Sequence, residues 1–185
     1  MKNKAPQPKP FLIGIPCSSF NYFDIALYAI QMKSIQLKYP FVKFILIGYV
    51  PEEDNLLKPH EFEFTNPVSV CHYFKHLKLL KLDLLFIPIR EGLITEDYKK
   101  FVEASILNIP VITLKQYPYS ALMRNKVSGF LFERPSYFIN MIEEILNLPE
   151  REALLKQCGE MAHSLVSEHL EMSEKLRETF DEAFD

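Results

Sequence analysis

Residues 82–131, LDLLFIPIREGLITEDYKKFVEASILNIPVITLKQYPYSALMRNKVSGFL, decide the fold. The apolar run Leu84 to Pro88 predicts a strand, Ile89 to Thr95 a polar loop, Glu96 to Leu107 a helix with charges at its start, and Val111 to Leu114 a second apolar strand. Together they make one strand, crossover helix, parallel strand unit. In open sheets of such units, ligands sit at the carboxyl ends of the strands. That end holds Arg90, Glu91 and Gly92, with Lys99, Lys100 and Glu103 on the following helix.

The same alternation recurs on both sides of this unit. Phe11 to Ile15 is a buried-strand run, and Tyr22 to Lys38 repeats its apolar residues at helical spacing, with Ser19 or Asn21 as the cap. Phe44 to Ile47 ends at Gly48, the polar text from Tyr49 to His60 reads as an excursion loop, and Phe62 to Thr65 is a short third strand. Ser69 to Lys81 follows as a helix. After Leu114 come a loop with a short helical turn and a last strand, Gly129 to Phe132. The closing section reads as three helices, Ser136 to Asn147, Glu150 to about His169, and Glu171 to Phe184. The fold class is therefore α/β, a single doubly wound, Rossmann-like parallel sheet of about six strands with the C-terminal helices packed back on it. We expect a lead-in over residues 1–10 and one domain over 11–185.

Composition narrows the function. The 185 residues are 48% hydrophobic and 24% charged, with a net charge of -3, which gives no overall field for gathering nucleic acid. No apolar run reaches the roughly 18 residues of a membrane span, and residues 1–10 lack the apolar core of a signal peptide. Cys17, Cys71 and Cys158 are scattered and unpaired in spacing, which fits a reducing cytoplasm and argues against a disulfide framework or a zinc site. The five glycines form neither a dinucleotide fingerprint nor a Walker loop.

The candidate site is the carboxyl rim. Glu91 on the loop and Glu103 on the helix are placed to face one crevice; as plain surface chemistry, Glu91 is a solvated acid and Glu103 an intrahelical partner of Lys99 or Lys100. Backbone N–H groups beside Gly92 and Leu93 are the expected seat for phosphate, because Glu96 and Asp97 would compete for a helix N-terminus beyond Thr95. Lys100 either neutralises Glu96 or reaches a ligand. Ser18 and Ser19 lie on the same rim and let a ligand approach the backbone, with capping the simpler role for Ser19. Thr65 and Asn66 end the third strand, where a base would lie, or are turn residues only. His72 and His76 have metal-ligand spacing but no third ligand, and no G-x-S-x-G elbow marks a nucleophile. The basic run Lys75, His76, Lys78, Lys81 reads as the wet face of a helix, with peripheral contact to anionic lipid as its second reading.

Four stretches, in order, resemble the C-terminal, donor-binding domain of a GT-B glycosyltransferase of the group 1, family 4-like kind. They are LKYPFVKFILIG (37–48), KLDLLFIPIRE (81–91), KKFVEASILNIPVITL (99–114) and NKVSGFLFE (125–133), and the segment EREALLKQCGEMAHSLVSEHLEM is similar to the family's closing helix. The resemblance implies a nucleotide-sugar site in which Glu103 binds the ribose, Glu91 and the backbone after it face the donor sugar and diphosphate, and Thr65 to Pro67 lie beside the base. It further implies retaining transfer without a metal cofactor, and an acceptor-side domain or subunit as partner. In the family's common pattern the two Glu stand closer than the twelve positions from 91 to 103, and its Arg and Lys after the first strand have no counterpart in GIPCSSFNYFD. The alternative is an interaction module that keeps the fold without the chemistry.

Overall fold

The apolar runs pair into one parallel sheet. Its strands are β1 (Phe11–Cys17), β2 (Val42–Gly48), β3 (Glu63–Thr65), β4 (Leu84–Ile87), β5 (Val111–Leu114) and β6 (Phe130–Phe132), in the spatial order β3-β2-β1-β4-β5-β6. The computed structural model describes residues 9–18, 21–49, 57, 62–92 and 98–184, with 70, 71 and 172–184 described by their backbone alone. Every neighbouring pair is parallel: Ile13 opposes both Phe44 and Leu84, Leu85 opposes Val111, and Ile112 opposes Phe130. Parallel neighbours need crossovers that bury both faces, which is why these strands read as continuous apolar runs.

The helices are α1 (Tyr22–Ala26), α2 (Ala29–Lys38), α3 (Val70–Leu80), α4 (Lys99–Ile106), α5 (Tyr119–Leu122), α6 (Phe138–Asn147) and α7 (Arg151–Phe184), with a 3-10 turn over Pro135–Tyr137. Ile25, Met32 and Ile35 of α1 and α2, with Phe138 and Ile142 of α6, fill one side of the sheet against Ile13, Phe44 and Phe86. Leu77 of α3 and Phe101 and Ala104 of α4 fill the other against Ile45, Leu85 and Val111. Helix α7 serves both sides, burying Leu155 and Cys158 in the first cluster and Ala162 and Val166 in the second. At the centre of the first side Phe86 stacks on Phe138 at 4.3 Å, with Tyr28 edge-on to both.

Three elements differ from the sequence reading. The helix expected over Tyr22 to Lys38 is divided at Leu27 and Tyr28: the chain stays helical there, but the Tyr28 N–H bonds back three residues to Ile25. The tightening accompanies burial of the Tyr28 ring, whose hydroxyl donates to the Ile89 carbonyl at 2.9 Å. Second, α4 begins at Lys99 and carries no acid in its first turn; Glu96 and Asp97 lie outside the described residues. The start is set by Phe101, Ala104 and Ser105, which must face the sheet, rather than by the dipole preference for acids. Third, the last two expected helices are one, because no Gly or Pro occurs between 160 and 184 to stop it.

Gly159 lies inside that helix for a packing reason. A Cβ at this position would overlap the backbone carbonyl oxygen of Asn108, so the α4–β5 connection fits against bare helix. Gly159→Ala gains helix propensity of about 1 kcal/mol yet is expected to destabilise the domain by about 1–3 kcal/mol through overpacking, read as a lower urea midpoint at unchanged slope.

Candidate functional site

Strand β1 ends in Pro16 and Cys17, followed by Ser18, and β2 beside it ends in Ile47 and Gly48, followed by Tyr49. Gly48 has a φ of +117°, and a Cβ there would overlap the Cys17 carbonyl oxygen, so only glycine lets the two strand ends close together. They form the floor of a crevice of about 310 Å³, whose walls are Asn66, Pro67 and Val68 after β3, Tyr73 on α3 and Lys100 on α4. It lies at the carboxyl edge near the β1–β4 neighbour pair, where the strand order reverses and connections diverge.

The rim after β1 is held by Asn21. Its Oδ1 accepts from the Ser18 N–H at 2.7 Å and the Ser18 hydroxyl at 3.0 Å, and its Nδ2 donates to the Pro16 carbonyl at 2.8 Å. The expected capping role is therefore not what Asn21 does: no side-chain cap bond is made to α1. Ser18 is on the crevice as expected, with its hydroxyl engaged in shaping the loop; Ser19 lies outside the described residues.

The chemistry-bearing group is a three-residue cluster. Lys100 bonds the Glu103 carboxylate at 3.1 Å and sits over the Tyr73 ring at 4.8 Å. Lys100 and Tyr73 line the crevice, and Glu103 stands next to it with its side chain 22% exposed. Burial raises the Tyr73 hydroxyl well above the usual tyrosine range, and the neighbouring Glu103 charge raises it further. Burial pushes the Cys17 thiol up to about 12, opposed by a backbone bond at Ile47, so the crevice offers a neutral thiol and no thiolate nucleophile. Tyr73 was not among the candidates the sequence offered; its one distinguishing mark is a hydroxyl in a helix stripe where Phe or Leu would pack as well.

The turn after β4 is bound elsewhere. Arg90 pairs with Asp24 of α1, whose side chain is 8% exposed, and Gln116 receives the Gly92 N–H at 3.2 Å while donating to the Arg90 carbonyl at 2.9 Å. The Gly92 N–H expected to meet phosphate thus already has a partner. Leu93 lies outside the described residues. Glu91 is exposed on this turn and does not line the crevice; its charge is felt by the buried Tyr28 hydroxyl. Burial raises the Asp24 carboxyl above its usual range, opposed by Arg90. An acid whose folded pKa exceeds its unfolded one makes stability fall as pH rises from the unfolded value through the folded one. Arg90→Met should therefore cost about 1–2 kcal/mol at neutral pH, discounted for the half-exposed guanidinium. Near pH 4, around the unfolded pKa, proton uptake neutralises the carboxyl and the cost should shrink. Urea unfolding at the two pH values reads the difference.

Thr65 ends β3 with its hydroxyl buried and unbonded, while Asn66 is exposed on the crevice wall. His72 Nδ1 is engaged by the Ser69 hydroxyl at 2.8 Å, and among the described residues no group of His, Cys, Asp and Glu is arranged to hold a metal. No described helix is long and apolar enough to cross a membrane. A further crevice of about 330 Å³, lined by Asp83, Asn108 and Arg151 among others, lies at the amino edge of the sheet.

Several solved structures share this fold. Alr3699/HepE of Anabaena, in complex with UDP and glucose, matches with a TM-score of 0.68 and 18% identity over 94% of this chain and 48% of its own. The C-terminal domain of a glycosyl transferase group 1 family protein, LpcC of Francisella tularensis, matches at 0.63 with 14% identity over 86% of both chains. Sucrose-phosphate synthase of Thermosynechococcus elongatus matches at 0.62 with 16% identity over 96% of this chain and 47% of its own. The chain spans about half the length of HepE. No family model matches the sequence, and no curated protein is significantly similar to it.

Proposed function

We propose that this chain, which has the fold of the C-terminal half of a GT-B glycosyltransferase, holds a nucleotide-diphosphate sugar at the carboxyl edge of its sheet. The observation that carries the reading is the meeting of Glu103, Lys100 and Tyr73 at the crevice beside the reversal of strand order. HepE, which has this fold, has been solved with UDP and with UDP-glucose.

In this reading Glu103 accepts hydrogen bonds from the ribose hydroxyls, Asn66 and the end of β3 at Thr65 flank the base, and Lys100 faces the diphosphate. Ser18 and Ser19 let the ligand approach the backbone, and Glu91, Gly92 and Leu93 address the donor sugar. Gly92 exchanges its bond to Gln116 for one to the ligand. Transfer is retaining and needs no metal, the leaving diphosphate being balanced by Lys100 and backbone N–H groups. An acceptor-side domain or subunit completes the enzyme, in the cytoplasm, and the exposed Lys75, Lys78 and Leu79 of α3 are the surface for any contact with anionic lipid. Calorimetric titration of the 185-residue chain with UDP- and GDP-sugars tests the proposal: binding to one class, unchanged by EDTA, is expected. Failure of every nucleotide to bind a folded chain would overturn it.

One observation favours a second reading, an interaction module without turnover. Arg90 is paired to Asp24, the Gly92 N–H to Gln116, and Lys100 to Glu103, so the cations and donors near the crevice are engaged internally. A module of that kind would gain no thermal stability from any nucleotide, whereas a donor site must be stabilised by its ligand.

A further inference from the structure

The outer face of the α1–α2 pair carries four exposed large apolar side chains. Phe23, Leu27, Ile30 and Leu37 are 68%, 58%, 75% and 84% exposed, and their spacing of four, three and seven puts them on one side of the helical path. The opposite side of the same path is equally apolar and packs on the sheet through Ile25, Met32 and Ile35. A surface helix ordinarily turns a charged face to water. Here the exposed side carries Ser34 at the remaining position of the stripe, and the helix's lysines are drawn aside, Lys38 to Glu143 at 2.6 Å and Lys33 toward the Phe62 ring.

We propose that this stripe is a two-fold interface between two copies of the chain. Its sequence pattern is self-complementary. With the axis at Ile30 and the helices antiparallel, Ile30 meets its own copy, Phe23 of one copy meets Leu37 of the other, and Leu27 meets the aliphatic stem of Lys33, whose ammonium is turned toward the Phe62 ring. The four large side chains expose on the order of 600 Å² per copy, and two copies together reach about 1,200 Å², where stable interfaces begin. An acceptor-side domain is a poorer fit: it would sit over the carboxyl rim, near Phe23, whereas the stripe runs about 21 Å from residue 23 to residue 37, toward the opposite edge. A lipid surface would call for a basic margin, and the paired lysines do not supply one.

The test is the molecular mass of the 185-residue chain in solution, by sedimentation velocity over a dilution series. A dimer is expected. Ile30→Glu places two carboxylates face to face on the axis and should raise the dimer dissociation constant at least about 100-fold, while the fold of the single chain, read as an unchanged circular dichroism spectrum, is kept, since Ile30 is exposed there. Leu79→Glu adds the same charge at another exposed apolar residue, on α3, and should leave the dimer intact. Ile30→Cys should form an intermolecular disulfide under mild oxidation. A wild-type chain that stays monomeric, including one that floats with phosphatidylserine vesicles, overturns the proposal, and so does a dimer that survives Ile30→Glu.

Discussion

Glu103→Ala should weaken binding of the cognate nucleotide sugar by about 100-fold, roughly 2.7 kcal/mol, while leaving the melting temperature of the free chain nearly unchanged. The affinity loss follows from the chemistry of the group. A carboxylate that accepts from two ribose hydroxyls makes two charge-assisted hydrogen bonds, each contributing about 1.5–3 kcal/mol when the site is dry, and alanine supplies neither. Stability changes little because the bond lost within the protein, Lys100 to Glu103, joins side chains 32% and 22% exposed, and the freed ammonium can turn to water. Glu103→Gln keeps the shape and one acceptor and should fall between, at about 10-fold. Calorimetry on the three proteins reads the series. Full affinity in Glu103→Ala would move the ligand away from this carboxylate.

The largest stability effect is expected at Phe138. Phe138→Ala should cost about 3–5 kcal/mol, a large share of the 5–15 kcal/mol by which domains are ordinarily stable, and lower the melting temperature by about 10 °C. The ring is fully buried, with its centroid 4.3 Å from that of Phe86, 5.4 Å from Tyr28, 5.7 Å from Phe132 and 6.5 Å from Phe44. Rings held by a sheet on one side and two helices on the other have little freedom to collapse into the space left. Phe138→Leu, which keeps most of the volume, should cost about half as much. The consequence reaches the carboxyl edge, because Tyr28 loses a packing partner and its hydroxyl is what holds the Ile89 carbonyl at the end of β4. Differential scanning calorimetry measures the first effect. Faster amide exchange over residues 89–92 would report the second.

The strands were readable because parallel neighbours bury both faces: runs such as Leu84 to Ile87 and Val111 to Leu114 have no polar side to disguise them. Helix limits were less readable. The start of α4 is decided by which residues must meet the sheet, Phe101, Ala104 and Ser105, and the acids before it advertised an earlier one. The pairing of Lys100 with Glu103 was legible because helical spacing alone brings them together. Tyr73, Asn21, Asp24 and Gln116 were not, since each takes its meaning from a partner that only chain folding supplies: Lys100 over a ring from the preceding helix, the β1 rim, Arg90 and the Gly92 turn.

By itself, then, the sequence determined the sheet, its parallel pairing and the carboxyl edge along which the crevice lies, because those follow from periodicity and from the geometry of crossovers. The tertiary structure decided where the charges near that edge stand and what each is bonded to. Burial of Asp24 commits Arg90, and Gln116 occupies the Gly92 N–H, whereas Lys100 stays on the crevice wall beside Tyr73 and Glu103. Those assignments depend on distance and desolvation between residues far apart in the chain, and neither quantity is written in the order of amino acids.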